Sequence, residues 1–224
     1  MVKVWGENAC FTRPELKVER VTYPVMTPSA ARGVLEAIFW KPECAWRVRE
    51  VQVLRPIKYV SLVRNEINNR QSERSALEWA RSGRGGYDTT SDRAQRHTLA
   101  LRDVAYLIKA DVVLRGQPDA DAAKYRDQFR RRLERGQSFA TPYLGTREFA
   151  AFFAPPDGSE QPIDRTEGLG RMLFDLTFPP KEAIGTAATP LFFDAHLQGG
   201  VLHVPPGLYT ERDRQPIGGA GPCC

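Results

Sequence analysis

Hydrophobic periodicity switches between strand and helix in a fixed order along residues 2–153 of this 224-residue chain. Val2-Lys3-Val4-Trp5 alternates with the two-residue period of a strand. Ala9-Cys10-Phe11-Thr12 either continues that strand past Gly6 or restarts it after a bulge. Thr27-Pro28-Ser29 opens a helix: one hydroxyl caps it and Pro28 suits its first turn. Ala30, Val34, Leu35, Ile38 and Phe39 recur at helical spacing, and Lys41-Pro42 is the expected stop. Trp46 to Leu54 alternates again as a second strand. Residues 64–98 are polar, hold Gly83-Arg84-Gly85-Gly86, and read as a long irregular insertion. Strand character returns from Thr98 to Leu114. Asp119 to Arg135 reads as a helix with Asp119 or Asp121 as its cap, Phe129 and Leu133 facing the core, and Gly136 just past its end. Phe149 to Phe153 is a last strand, ended by Pro155-Pro156.

This β-α-β-β-α-β order predicts an α+β fold of the ferredoxin-like kind, the topology that RNA-recognition modules share. Short strands near 171–178, 190–196 and 200–204 predict a small antiparallel β domain. The expected organisation is a ferredoxin-like domain over 1–155 with a long insertion between its second and third strands. A β domain over 156–224 follows, ending in a frayed tail from Ile217 to Cys224.

Charge divides the chain in the same place. The net charge is +5, but residues 1–150 hold 27 Lys+Arg against 18 Asp+Glu, and residues 151–224 hold 5 against 9. Arginine makes up 25 of the 32 cations, which fits phosphate recognition because a planar guanidinium can grip phosphate with two parallel bonds. The densest cluster is Lys124, Arg126, Arg130, Arg131, Arg132 and Arg135, six cations on one predicted helix. A basic helix beside a ferredoxin-like sheet is suited to RNA backbone contacts. A solvated basic face is the plainer alternative.

Other classes are excluded by absence of their motifs. There is no apolar run of 18 residues for a membrane span and no basic-then-apolar leader in Met1–Cys10. Cys10, Cys44, Cys223 and Cys224 have no zinc spacing, so a reduced, cytoplasmic protein without metal or cofactor is expected. His97, His196 and His203 form no metal-binding pair, and no phosphate loop, dinucleotide fingerprint or nucleophile elbow occurs.

Among candidate reactive groups, Lys124 and Tyr125 open the basic helix. A cation at a helix N-terminus opposes the helix dipole, so it has few structural reasons to be there. It can stabilise a pentavalent phosphorane, and a tyrosine can exchange a proton. His97, just before a strand, titrates near neutrality and can act as acid or base. Tyr23 and Tyr59 are candidates for base stacking, or for core and rim packing.

A family resemblance rests on motifs in order. These are Phe11-Thr12-Arg13-Pro14-Glu15, Thr27-Pro28-Ser29-Ala30, Glu36-Ala37-Ile38-Phe39-Trp40-Lys41-Pro42 and Arg55-Pro56-Ile57. Gln95-Arg96, Leu101-Arg102-Asp103-Val104, Arg131-Arg132-Leu133-Glu134-Arg135-Gly136 and Pro142-Tyr143-Leu144-Gly145-Thr146-Arg147-Glu148-Phe149 follow. Together they resemble the CRISPR-associated Cas five family of subtype I-C (Dvulg), in the RAMP superfamily.

The resemblance implies a metal-independent endoribonuclease acting on the repeat of pre-crRNA. The 2′-OH attacks the adjacent phosphate, leaving a 2′,3′-cyclic phosphate and a 5′-OH. The implied partners are CRISPR repeat RNA and crRNA, held by the 5′ handle, the backbone and large subunits of the type I-C Cascade, and double-stranded DNA. Family members use a Tyr near the end of the first helix and a Lys-His pair opening the second. Those positions are Phe39, Lys124 and Tyr125 here, so the Lys is kept and the other two depart. His97 or Tyr23 would then substitute, while Lys41, Arg126, Arg130, Arg131 and Arg147 would hold the backbone. The alternative is a non-catalytic or weakly catalytic RNA- or DNA-binding scaffold subunit of Cascade.

Overall fold

The computed structural model describes residues 1–16, 18–116, 121–178 and 188–214; the expected tail from Ile217 to Cys224 lies outside them. Strand β1 (Val2–Ala9) runs through Gly6 without a bulge, because its antiparallel register to β5 (Arg93–Leu114) is unbroken from Val2↔Ile108 to Ala9↔Leu101. Gly6 fits a close approach: a Cβ there would sit 2.6 Å from Leu144 Cδ1 and 3.1 Å from the Ala150 carbonyl oxygen. The two-residue β2 (Arg20–Val21) pairs with β5 in parallel.

Helix α1 (Pro28–Ile38) starts as its sequence requires, with Thr27 Oγ1 accepting from the Ala30 N–H at 3.3 Å. It buries Ala31, Val34, Leu35 and Ile38. It ends three residues before Lys41-Pro42, since Phe39 is already extended while its N–H donates to the Leu35 carbonyl at 2.9 Å. Strand β3 (Cys44–Val53) pairs with β5 and carries a bulge between Val48 and Glu50.

Residues 64–98 are not irregular. Strand β4 (Tyr59–Ile67) pairs with the opening stretch of β5, from Tyr59↔Leu101 to Ile67↔Arg93, and α2 (Glu73–Ser82) connects the two strands. Ser72 caps α2, and Gly83 ends it at φ +63°. Every residue of β4 is exposed or half-buried and none of α2 is buried, so the arm has no apolar period to signal it. Strand β5 therefore spans 22 residues, five more than Thr98–Leu114.

Helix α3 (Ala122–Glu134) and strand β6 (Phe152–Ala154) complete the N-terminal order. Strands β7 (Glu167–Thr177), β8 (Thr189–Gln198) and β9 (Val201–His203) follow. The main sheet runs β6-β1-β5-β3-β9-β8-β7, so the C-terminal strands extend it through the β3–β9 pairing. Helices α1 and α3 touch each other and pack on β3 and β7, and on β5 and β6, respectively. The core lies between these helices and the sheet.

A last helix, α4 (Gly207–Arg214), is held by side-chain bonds and by packing of Tyr209 on Phe174. Tyr209 Oη donates to the Val48 carbonyl at 3.0 Å, and Arg212 Nη1 to Asp175 Oδ2 at 3.0 Å. Asp175 on β7 also accepts from Arg32 of α1 at 2.8 Å, and Arg32 bonds Glu36 at 2.7 Å. Three elements distant in sequence meet at this carboxylate.

The loop after α3 fastens the end of β1: the Cys10 N–H donates to the Leu144 carbonyl at 3.0 Å. Gly145 there has φ +87°, and a Cβ would fall 2.1 Å from the Cys10 carbonyl oxygen. Gly145→Ala is expected to cost about 2–3 kcal/mol, since it combines backbone strain with a clash against main chain. A urea midpoint equal to wild type would show that this loop relaxes freely.

Candidate functional site

Helix α3 begins where Asp121 Oδ1 accepts from the Lys124 N–H at 3.1 Å. Tyr125, Phe129 and Leu133, spaced by four, form its buried face. Periodicity identified Phe129 and Leu133 but not Tyr125. The Tyr125 ring is 1% exposed and lies 6.4 Å from the Phe39 ring at the end of α1. Its hydroxyl is 3.3 Å from Glu43 Oε1. Phe39 is 1% exposed, and its carbonyl accepts from Trp46 Nε1 at 3.1 Å.

The three positions singled out by resemblance are thus adjacent, but only Lys124 is exposed to a ligand. Burial of Tyr125 departs from the expected proton transfer, because a ring in the core does not meet a ribose. Buried Phe39 fills the corner between the helices.

Exposed cations run along α3 and follow α1. Lys41, Arg126, Arg130, Arg131 and Arg135 are exposed, with Asp127 3.8 Å from Arg130. Arg132 is spent on the fold: it donates to the Ile38 carbonyl at 3.0 Å and lies 5.4 Å over the Phe39 ring. It satisfies one of the carbonyls that α1 leaves open at its end. Glu43, Trp40 and Phe139 also belong to the corner, and no motif or period marked them in this role.

His97, Tyr23 and Arg147 lie elsewhere. Tyr125 reaches Glu43, next to Cys44, which pairs with Leu114 at the far end of β5. His97 is on the same strand, 17 residues earlier, roughly 55 Å along its path. It is exposed, pairs with Val63 and donates its backbone N–H to Glu19 at 2.5 Å. Tyr23 is fully buried beside Phe11, under the Arg13 guanidinium at 4.5 Å. Burial pushes its hydroxyl pKa up, which further disfavours proton exchange. Arg147 is exposed on the Leu144 loop, whose Glu148 pairs with Arg64 and with Arg20 at 3.5 Å. Neither His97 nor Tyr23 can stand in at the Lys124 corner.

Cys10 and Cys44 are buried and unbridged, and burial pushes the Cys44 thiol up to about 11, so it is no nucleophile at neutral pH. Among the described residues, no group of His, Cys, Asp and Glu is arranged to hold a metal ion, and no helix is long and apolar enough to cross a membrane.

Known proteins resemble this chain in sequence and in fold. A family model described as CRISPR-associated protein (Cas_Cas5) matches residues 1–205. The protein named CRISPR pre-crRNA endoribonuclease Cas5d from Thermus thermophilus is 48% identical over 223 residues, covering 94% of this chain and 93% of its own. Its namesake from Mannheimia succiniciproducens is 42% identical over 221 residues, covering 93% and 95%. A solved structure titled as a CRISPR-associated protein superposes with a TM-score of 0.62 at 24% identity, covering 91% of this chain and 90% of that one. The functionally uncharacterized SMU1763c from Streptococcus mutans gives 0.62 at 19%, covering 92% and 91%. The two structures share the fold, and the near full-length identity with two relatives, together with the family match, makes this chain a member of the Cas5d family of CRISPR-associated proteins.

Proposed function

We propose that this chain cleaves pre-crRNA within the repeat and keeps the 5′ handle of the product in a type I-C Cascade. The observation that carries the reading is the exposed Lys124 at the first turn of a cation-rich helix. Both curated relatives are named as pre-crRNA endoribonucleases, which supports it. In the reaction the ribose 2′-oxygen bonds to phosphorus and the bond from phosphorus to the 5′-oxygen breaks. The 2′ proton leaves to a base and the 5′-oxygen gains one. The Lys124 ammonium neutralises the oxyanion that builds up on phosphorus. In-line geometry supplies much of the remaining rate, so the step is proposed to run without metal.

The strand order β6-β1-β5-β3, with both helices packed together, supports a ferredoxin-like RAMP reading of residues 1–155. Residues 156–224 remain a proposed second unit, sharing the sheet through β9. Lys41, Arg126, Arg130 and Arg131 are proposed to hold phosphates near Lys124. Arg147 would meet a more distant part of the RNA. Other Cascade subunits and double-stranded DNA are proposed partners of the assembled complex.

Labelled repeat RNA incubated in EDTA tests the reading: one cut with a 2′,3′-cyclic phosphate is expected. A gel shift without any cut would instead support the scaffold alternative, which the buried Phe39 and Tyr125 favour. Tyr125 is read as a positioning residue that seats the first turn of α3 through its ring and its bond to Glu43. Tyr125→Phe keeps the ring, so its single-turnover rate should stay within about tenfold of wild type. A loss as large as that of Lys124→Ala would restore Tyr125 to proton transfer.

A further inference from the structure

Trp40 and Phe139 form an aromatic step where the chain leaving α3 meets the end of α1. Their ring centroids are 6.0 Å apart at 31°, and Phe139 is 52% exposed. One exposed phenylalanine is ordinary on a protein surface. This one is held on fixed main chain. Past α3, Gly136 turns the chain at φ +61°, and Gln137 donates its N–H to the Arg132 carbonyl at 2.9 Å. The Phe139 and Ala140 N–H groups both donate to the Ala37 carbonyl, at 2.8 and 2.9 Å. The segment thus closes the open end of α1, and its backbone cannot turn the ring inward without giving up those bonds.

The surroundings indicate what covers the ring. Trp40 directly follows Phe39 and precedes the exposed Lys41, and Phe139 follows the exposed Arg135 by four residues. An aromatic face carried by segments that also bear exposed cations suits a nucleotide: the base stacks and the flanking phosphates meet the cations. A protein partner's apolar side chain would gain nothing from Lys41 and Arg135.

We infer that Trp40 and Phe139 form a base-stacking subsite for a single-stranded nucleotide of the repeat, a few nucleotides away from the scissile phosphate along α3. The inference rests on the RNA-cleaving reading above and names a specificity element for it. Stacking is sequence-tolerant, so the subsite asks for an unpaired base at one position more than for a particular base.

The test pairs a side-chain deletion with a base deletion. Phe139→Ala, Phe139→Trp and wild type are assayed on repeat RNAs carrying a single abasic nucleotide at each position around the cut. Thermal melting checks that the variants are folded. Phe139→Ala should weaken RNA binding or cleavage by about 5- to 100-fold, and Phe139→Trp should retain wild-type values. One abasic position should cost wild type a similar factor and cost Phe139→Ala almost nothing further. If wild type cuts repeat RNA and Phe139→Ala stays within twofold of it, the stacking subsite is wrong and the cleavage reading stands. If the two losses multiply at every position, the ring and the base do not meet, and the subsite is likewise overturned. If wild type neither binds nor cuts repeat RNA, the parent reading falls and this one with it.

Discussion

Lys124→Ala should lower the single-turnover cleavage rate of repeat RNA by about 10²- to 10³-fold, the usual cost of removing one group aimed at a developing oxyanion. The expected loss is in the chemical step. Lys124 is one exposed cation among several on α3, so its removal should weaken RNA binding by no more than a few-fold. The fold should tolerate the change. The cap bond at the start of α3 uses the Lys124 backbone N–H and not its side chain, so alanine keeps it. Alanine also has the higher intrinsic helix propensity. Lys124→Arg separates charge from geometry: it keeps the positive charge but spreads it over a larger planar group. It should recover part of the rate, at most a tenth of wild type. Alanine and wild-type proteins that cut at equal rates would remove Lys124 from the mechanism. A loss of binding as large as the loss of rate would make it an RNA-holding residue.

Each element is legible in the sequence to the extent that its determinants are local. Local signals were legible. Thr27 with Pro28, Asp121 at the start of α3 and Gly136 at its end act through hydrogen bonds a few residues away, and each occurs as its pattern requires. The strands of the core were legible because β1 and much of β3 alternate between buried and less buried residues, and β5 carries a continuous buried run from Val104 to Ile108. The β4–α2 arm was not, because a solvated hairpin needs no apolar alternation. Helix α4 was hidden for another reason: Tyr209 and Arg212 anchor it to residues far away in the chain.

The site divides in the same way. That Lys124 and its neighbouring arginines face solvent follows from the four-residue spacing of Phe129 and Leu133, which fixes the opposite face. Extending that spacing one turn back to Tyr125 would have predicted its burial. Nothing in the local pattern separates His97 from Lys124, because their distance is set by the length of β5, and β5 is longer than its apolar part. The Glu43 contact with Tyr125 joins residues 82 apart.

Replacing Asp175 should produce the largest loss of stability. Its carboxylate is 4% exposed and bonds both Arg32 and Arg212, which are 16% and 8% exposed. Asp175→Ala leaves two guanidinium groups poorly compensated in a dry site, and breaking such a pair from one side costs about 3–5 kcal/mol. For a chain of this size that corresponds to a fall in Tm of roughly 6–20 °C. Removing both sides should cost less than the sum: with Arg32→Met added, one of the stranded charges is gone, and part of the loss returns. Burial pushes the Asp175 carboxyl up, but the Arg32 guanidinium, with Arg212 behind it, outweighs burial and holds the group below its ordinary value. A carboxyl whose folded value is depressed binds its proton more readily in the unfolded chain. Its contribution is therefore full above the ordinary carboxylate value near ~4 and is lost as pH falls through the lower folded value. Urea unfolding of wild type should show stability declining below about pH 4, and Asp175→Asn should show a flatter decline over that range. Equal slopes for the two proteins would mean that other carboxylates carry the acid sensitivity. The same carboxylate ties α1, through Arg32, and α4, through Arg212, to β7, so its loss should also loosen α1, whose following residue Phe39 packs on Tyr125. Cleavage by Asp175→Asn should then fall more steeply on warming than cleavage by wild type. A rate that tracks wild type up to the variant's own Tm would show that the Lys124 corner is held without that clamp.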